Sequence, residues 1–211
     1  MIKLKKGNTV LFQGDSITDA GRISDPRKIG NGFVAFIWAY LNAKFPELQI
    51  NLINKGYTGN LSADVLNRWK TDCIDIKPDI LVLMVGINDM WRRYDGADKM
   101  TTAEEFENNL REMLTQTKNA GINKIILLEP YLTINKPENK IWLEEDLCYK
   151  QAVVKKIAKE FSCEFIPLQS IFDEACKIKE PAVWTNEGVH PLWPGCGLIA
   201  KHVLKCLGIE L

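Results

Sequence analysis

The stretch ILVLMVGIND, residues 80–89, decides the class of fold. Its first six residues are all apolar, without the alternation of a half-exposed strand, which is typical of a parallel strand covered on both faces. Gly86 ends the run, and the polar residues Asn88 and Asp89 follow almost at once. The pattern predicts an inner strand of an α/β sheet with a polar turn at its carboxyl end.

Apolar runs and helix-period segments alternate along the rest of the chain. Further strands are predicted at residues 9–13, 49–54, 124–128 and 164–168. Helices are predicted at about residues 30–44, 61–73, 103–119, 144–161 and 194–207, the third of which has a Thr102/Glu105 capping box. The alternation predicts a single domain over residues 1–211, with a doubly wound parallel sheet and right-handed crossovers.

The composition argues against two classes of partner. The chain has 211 residues, of which 46% are hydrophobic, and its 27 basic residues balance 27 acidic ones. Zero net charge without a basic stripe argues against a nucleic-acid partner. No apolar run approaches the roughly 18 residues of a membrane-spanning helix, so no membrane partner is expected.

The amino terminus and the cysteines bear on location. The opening MIKLKKGNTVLFQG lacks a long apolar region and a cleavage site, so no signal peptide is predicted. The six cysteines form no C-x-x-C pair and are expected to be buried thiols rather than disulfides or metal ligands. We therefore expect a protein of the reducing cytoplasm.

Polar turns follow the first three predicted strands. They are Gly14-Asp15-Ser16, Asn54-Lys55-Gly56 and Gly86-Ile87-Asn88-Asp89. In a flavodoxin-like strand order, 2-1-3-4-5, these turns are neighbours at the edge where such sheets bind ligands. Each turn alone is ordinary, and Ser16 could be a nucleophile, a phosphate-binding hydroxyl or a helix cap. Asp15 and Asp89 are expected to have structural roles.

The two histidines differ in their surroundings. His202 lies within a helix-period segment and is expected on the flank of that helix. His190 lies in a loop held by prolines before the last helix, with Glu187 three residues upstream. If a histidine acts as a general base in this protein, His190 is the candidate.

Four blocks together closely resemble the SGNH (GDSL-type) hydrolases, over nearly the whole chain. The blocks are GDSITDAGR (14–22), NKGYTGN (54–60), GINDMWR (86–92) and EGVHP (187–191). The resemblance implies a three-layer α/β/α fold with a flavodoxin-like sheet of five strands. It also implies a serine esterase that needs no metal or other cofactor.

By this resemblance the catalytic residues take specific roles. Ser16 is the nucleophile and His190 the base, while Gly56, Asn88 and the Ser16 backbone form the oxyanion hole. The family's acidic residue, three positions before the histidine, is usually aspartate, but this chain has Glu187. We expect a Ser16-His190-Glu187 triad. The alternative is a dyad in which a backbone carbonyl orients His190.

The extended blocks look most like the acetylxylan-esterase-like branch, which removes acetyl groups from carbohydrates. The expected substrate is a small acetylated sugar resembling an acetylated xylo-oligosaccharide. Trp91, Arg92 and Trp184 are predicted to wall the substrate site, although Trp184 could equally cover the core and Arg92 could pair with Asp95. Carbohydrate esterases of this kind are often oligomeric, so a homo-oligomer is a possible state of this protein.

Other functions remain open from the sequence. One alternative is a lysophospholipase or thioesterase of the same fold with a longer acyl pocket. Another is a non-catalytic, flavodoxin-like module in which Gly14–Thr18 binds a phosphate or a sugar. A third is a degenerate esterase that only binds sugar, which Glu187 alone suggests.

Overall fold

A computed structural model describes residues 2–96 and 100–210, and these are organised around five parallel strands. The strands are β1 (Thr9–Gly14), β2 (Asn51–Gly56), β3 (Ile80–Met84), β4 (Lys124–Leu128) and β5 (Glu164–Ile166). Their order is β2-β1-β3-β4-β5, and every neighbouring pair is parallel. The predicted flavodoxin-like order is confirmed.

Helices connect the strands. Those before β4 are α1 (Ser16–Asp19), α2 (Phe33–Lys44), α3 (Ser62–Asn67), α4 (Ile87–Trp91) and α5 (Ala103–Asn119). Those after β4 are α6 (Pro137–Trp142), α7 (Cys148–Glu160), α8 (Leu168–Ile178) and α9 (Trp193–Cys206). Within the described ranges, no helix has both the length and the hydropathy that crossing a membrane requires.

Each face of the sheet is buried under its own layer of helices. Successive strand residues point to opposite faces, so Val10 and Phe12 lie in one core and Leu11 in the other. The first core packs against α2 and α9, and the second against α3, α5 and α7. This explains why the strand at residues 80–84 is apolar without alternation, and it confirms the three-layer α/β/α fold.

The predicted elements differ from the observed ones where local backbone features intervene. The fifth strand ends at Ile166 because Pro167 has no N–H for the ladder, and α8 begins directly after it. The helix expected at 61–73 is divided into α3 and a π-helical turn at Lys70–Ile74. The capping box of α5 is confirmed, with the Glu105 N–H donating to Thr102 Oγ1 at 3.1 Å.

The strand register places the three polar turns side by side. Gly14, at the end of β1, is paired with Gly56 of β2 on one side and Met84 of β3 on the other. The turns that follow these strands therefore begin at the same height of the sheet. This is the edge at which the candidate catalytic residues gather.

Candidate active site

Ser16 is the first residue of α1, immediately after the turn that ends β1. The Asp15 carboxylate caps this short helix and accepts the Ile17 N–H at 3.0 Å. At the other end of α1, Ala20 adopts a left-handed conformation, and its N–H donates to the Ser16 carbonyl at 2.9 Å. The single turn thus fixes the Ser16 backbone and leaves its hydroxyl partly exposed.

The structure brings Ser16, His190 and Glu187 into one hydrogen-bonded line. Ser16 Oγ lies 2.9 Å from His190 Nε2, and the other ring nitrogen, Nδ1, bonds to Glu187 Oε1. The same carboxylate oxygen accepts the His190 backbone N–H at 3.1 Å. Glutamate therefore reaches the imidazole from the position where the family usually has aspartate. The line has the order of nucleophile, base and orienting carboxylate found in serine hydrolases.

The histidine loop is held by the segment that follows β4. Tyr131 donates its hydroxyl to the Val189 carbonyl at 3.0 Å, and the Thr133 N–H donates to the Gly188 carbonyl at 2.9 Å. Gly188 has a φ of 103°, and a Cβ there would lie 2.6 Å from the Thr133 carbonyl oxygen. Sequence reasoning missed this support. The sequence EPYLTIN (129–135), which follows β4 and includes both Tyr131 and Thr133, mixes polar and apolar residues and carries no distinct signal.

Asn88 lies in the first turn of α4 and is almost fully buried. Its Nδ2 donates to the Asn60 carbonyl at 3.1 Å, which fixes the amide against the loop that follows β2. A side-chain amide has two N–H groups, and the second has no acceptor among the described residues. The Asn88 amide is therefore held in one orientation and has a second N–H that can donate to a bound group.

Gly56 does not have the predicted role of a free donor. Its N–H already donates to Asn54 Oδ1 at 2.9 Å, and its carbonyl accepts from Arg22 Nε at 2.6 Å. A Cβ at this position would lie 2.2 Å from the Asp19 nitrogen, so glycine is needed because α1 passes directly over it. The structure corrects the prediction: Gly56 admits the helix that carries the nucleophile.

The three residues predicted to wall the substrate site fall in different places. The ring of Trp91 lies 5.8 Å from that of His190, centre to centre. Arg92 pairs with Asp95 at 2.5 Å. Trp184 lies in a separate groove between α8 and α9, where its Nε1 donates to the Lys179 carbonyl at 3.2 Å. Trp184 also packs against the first core, so it follows the alternative of covering the core and does not line the cleft beside Ser16.

A cleft of about 300 Å³ opens beside the nucleophile. Ser16 and His190 line it together with Asn31 and Trp193, which sequence reasoning did not single out. A groove of about 590 Å³ between α8 and α9 is larger but contains none of the three aligned residues. Of these two, the smaller cleft is therefore the one that reaches Ser16.

Two buried carboxyl groups lie behind the nucleophile. Burial, together with the nearby charge of Asp89, raises the pKa of Asp15 to about 7, although the hydrogen bond from the Ile17 N–H lowers it. Asp89 accepts the N–H and the hydroxyl of Ser62 at 2.9 and 2.6 Å, while burial raises its pKa. Both residues cap helices, as expected for structural roles.

A parallel α/β sheet that aligns a serine, a histidine and a carboxylate at its carboxyl edge has the architecture of a serine hydrolase. Residues 12–195 match the GDSL-like Lipase/Acylhydrolase family, and the chain belongs to that family of carboxylic ester hydrolases. The acetylxylan esterase of Geobacillus stearothermophilus is 36% identical over 217 residues, covering 99% of this chain and 98% of the relative.

Solved structures agree with this assignment. A putative GDSL-like lipase from Parabacteroides merdae superposes with a TM-score of 0.92 at 34% identity, covering 99% of both chains. A catalytic mutant of the Geobacillus stearothermophilus esterase, with an aspartate changed to alanine, gives 0.90 at 35% identity over 99% of this chain and 98% of that one. Other catalytic mutants of that esterase replace a serine or a histidine by alanine.

The raised pKa of Asp15 predicts a stability that declines from acid to neutral pH. The ordinary value is 3.8, so between about pH 4 and pH 7 the folded protein keeps a proton that the unfolded chain has lost. The free energy of unfolding then falls by up to about 1.4 kcal/mol per pH unit from this group and levels off above pH 7. Asp15→Asn keeps an oxygen for the Ile17 N–H and should flatten this decline.

Urea denaturation at pH 5, 6, 7 and 8 measures the effect. Glu105→Gln is the matched control, because the Thr102 N–H lowers the pKa of Glu105 and its titration lies below this window. A decline in Asp15→Asn as steep as in the wild type would show that Asp15 is not its source.

Proposed function

We propose that this protein is a serine esterase that removes acetyl groups from carbohydrates through an acyl-enzyme intermediate. The hydrogen-bonded line of Ser16, His190 and Glu187 carries the proposal. A full-length relative is an acetylxylan esterase, which supports acetylated xylo-oligosaccharides as substrates. In its catalytic mutants the aspartate and the histidine are three residues apart, the spacing of Glu187 and His190 here.

Acylation begins when Ser16 Oγ attacks the ester carbonyl and His190 Nε2 takes its proton. Glu187 holds the Nδ1–H and stabilises the imidazolium that forms. The tetrahedral intermediate collapses, the bond to the sugar oxygen breaks, and His190 gives the proton to that oxygen. Water then attacks the acetyl-serine with His190 as base. The proton returns to Ser16 Oγ as acetate leaves.

The oxyanion of the tetrahedral intermediate needs fixed N–H donors. The Ser16 backbone N–H at the start of α1 and the spare N–H of Asn88 supply two. For the third we propose Gly59 in place of Gly56. The Gly59 N–H has no acceptor among the described residues, and the next residue, Asn60, holds the Asn88 amide through its carbonyl.

An aromatic wall beside His190 favours a short acyl group. The indole of Trp91 stands beside His190 and packs against Trp142, with ring centres 6.3 Å apart, so it is braced rather than free to swing away. This braced aromatic wall supports acetyl esters over the long-chain esters of a lysophospholipase or thioesterase.

The compartment is part of the proposal. All six cysteines are free thiols, and burial raises the pKa of Cys73 to about 12 and that of Cys196 to about 11. Such thiols are unreactive and suit a reducing environment, which supports the cytoplasm. Cell fractionation with an antibody against the protein tests this placement.

The deciding experiment is a screen of acetylated mono- and oligosaccharides with the wild type and Ser16→Ala in parallel. Acetate release by the wild type alone is expected. A series of p-nitrophenyl esters should show an optimum at acetate, and an optimum at long chains would favour the lysophospholipase alternative. Failure of an organophosphonate to label Ser16 would instead favour a non-catalytic binding module.

Glu187→Gln is predicted to lower kcat by about 10³- to 10⁴-fold. The glutamine amide can donate to Nδ1, which would leave the proton of the neutral imidazole on Nε2, the nitrogen that must accept the Ser16 proton. Glu187→Asp is the control and should retain more activity, because it keeps the negative charge. Turnover of Glu187→Gln near the wild-type value would establish the Ser16–His190 dyad instead.

Asn88→Ala is predicted to lower kcat by about 10²- to 10³-fold with little change in KM, since it removes a donor used mainly in the transition state. Circular dichroism should show intact folding. Asn42→Ala, which removes an exposed amide bonded to the Trp38 carbonyl on α2, should leave kcat unchanged. A fully active Asn88→Ala enzyme would refute the role of this amide.

A further inference from the structure

We infer that Trp193 and Asn31 form the subsite for the sugar ring of the leaving alcohol. This inference rests on the proposed carbohydrate esterase function and names the residues that would recognise the carbohydrate. Neither residue belongs to the four sequence blocks or to the catalytic line. Both line the cleft of about 300 Å³ beside Ser16 and His190.

The chemistry decides which part of the ester occupies this cleft. His190 must deliver its proton to the departing oxygen, so the alcohol lies on the histidine side of Ser16. Ser16 and His190 line the cleft, whereas Asn88 and Gly59, the two proposed oxyanion donors outside Ser16, do not. The cleft therefore opens on the side of the leaving alcohol rather than on the side of the oxyanion.

The exposure of the Trp193 side chain in this cleft is not explained by packing within the fold. Its side chain is 76% exposed, although Trp91 and Trp142 at the same end of the molecule pack against the core. Among the residues that the structure describes, none stacks on its ring. A large apolar face left open beside a catalytic serine is typical of a binding surface.

The backbone that carries Trp193 is held firmly. Trp193 is the first residue of α9 and is followed by Pro194, whose ring restricts the entry into the helix. On either side, the Leu192 N–H donates to the Trp184 carbonyl at 2.9 Å and the Cys196 N–H to the Leu192 carbonyl at 2.8 Å. Only the side chain remains to be ordered, so a ligand would bind at a low entropic cost.

Asn31 supplies the polar half of the subsite. Its backbone N–H donates to the Ala20 carbonyl at 2.9 Å, which fixes this residue at the end of α1. Its side-chain amide is exposed and has no hydrogen-bond partner among the described residues. A pyranose ring presents an apolar C–H face and a rim of hydroxyls, which match an indole and an amide respectively.

The absence of charged residues among those described in the cleft lining favours a neutral sugar over a phosphorylated alcohol. None of the described residues that line the cleft is an aspartate, glutamate, lysine or arginine, so the wall of this cleft carries no fixed charge. A phosphorylated alcohol, such as a lysophospholipid headgroup, would enter without a cation to pair with its phosphate. The cleft thus suits a neutral, unphosphorylated sugar.

The test compares two acetyl esters that differ only in the alcohol. A methyl pyranoside monoacetate offers a ring to the subsite, and ethyl acetate does not. For Trp193→Ala we expect kcat/KM to fall about 5- to 10-fold on the pyranoside ester through KM, and to change less than about twofold on ethyl acetate. Trp193→Phe should recover part of the loss. Asn31→Ala should also raise KM for the pyranoside alone.

Ile178→Ala is the matched control, because it removes an exposed apolar side chain on α8 outside the catalytic cleft. An equal loss on both esters, or none on either, would overturn the inference. So would a change of association state in analytical ultracentrifugation with an unchanged preference between the esters, which would assign Trp193 to a contact between copies. Failure of the proposed function is distinguishable, because the wild type itself would then release no acetate from the pyranoside ester, whether or not it cleaves ethyl acetate.

Discussion

The in-register alignment of β1 between β2 and β3 is the constraint on which the rest of the site depends. Gly14 pairs with Gly56 and Met84, so the chain leaves three neighbouring strands at one level of the sheet. Hydrogen bonding in a parallel sheet and burial on both faces fix this register, because a slip of one residue would turn the apolar side chains of β1 to the wrong core. The same register therefore fixes where the nucleophile and the loops around it begin.

Buried polar side chains then tie the turns to one another. Asp19 of α1 accepts the N–H and hydroxyl of Thr58 in the loop after β2, at 3.2 and 2.7 Å. Asp89 of α4 holds the start of α3 through Ser62, and the Asn54 amide reaches the Thr18 carbonyl at 2.7 Å. Removing such groups from water is costly, and these bonds offset the cost only in one arrangement. The network therefore favours a site organised before substrate arrives.

Much of this architecture could be predicted from the sequence, because apolar periodicity and turn chemistry are local signals. The strands and the three polar turns belong to that part, whereas the expected strand order and the line of Ser16, His190 and Glu187 rested on the resemblance of the four sequence blocks to the SGNH hydrolases. The bond from Gly56 to Asn54 and the direction of Trp184 depend on which side of a turn faces which neighbour. The support of the histidine loop by Tyr131 depends on a contact 58 residues away along the chain. No local pattern specifies such contacts.

The geometry separates the aligned residues Ser16, His190 and Glu187 from the subsite that we propose for the alcohol. The nucleophile and the proposed oxyanion donors come from turns that pack on the sheet and on each other, so several buried bonds fix the positions of these turns. Asn31 and Trp193 precede α2 and begin α9, and their exposed side chains make no buried polar contact. Such positions can change with little cost in stability. A fold of this kind can therefore exchange one alcohol for another at the cleft rim while keeping the acyl transfer unchanged.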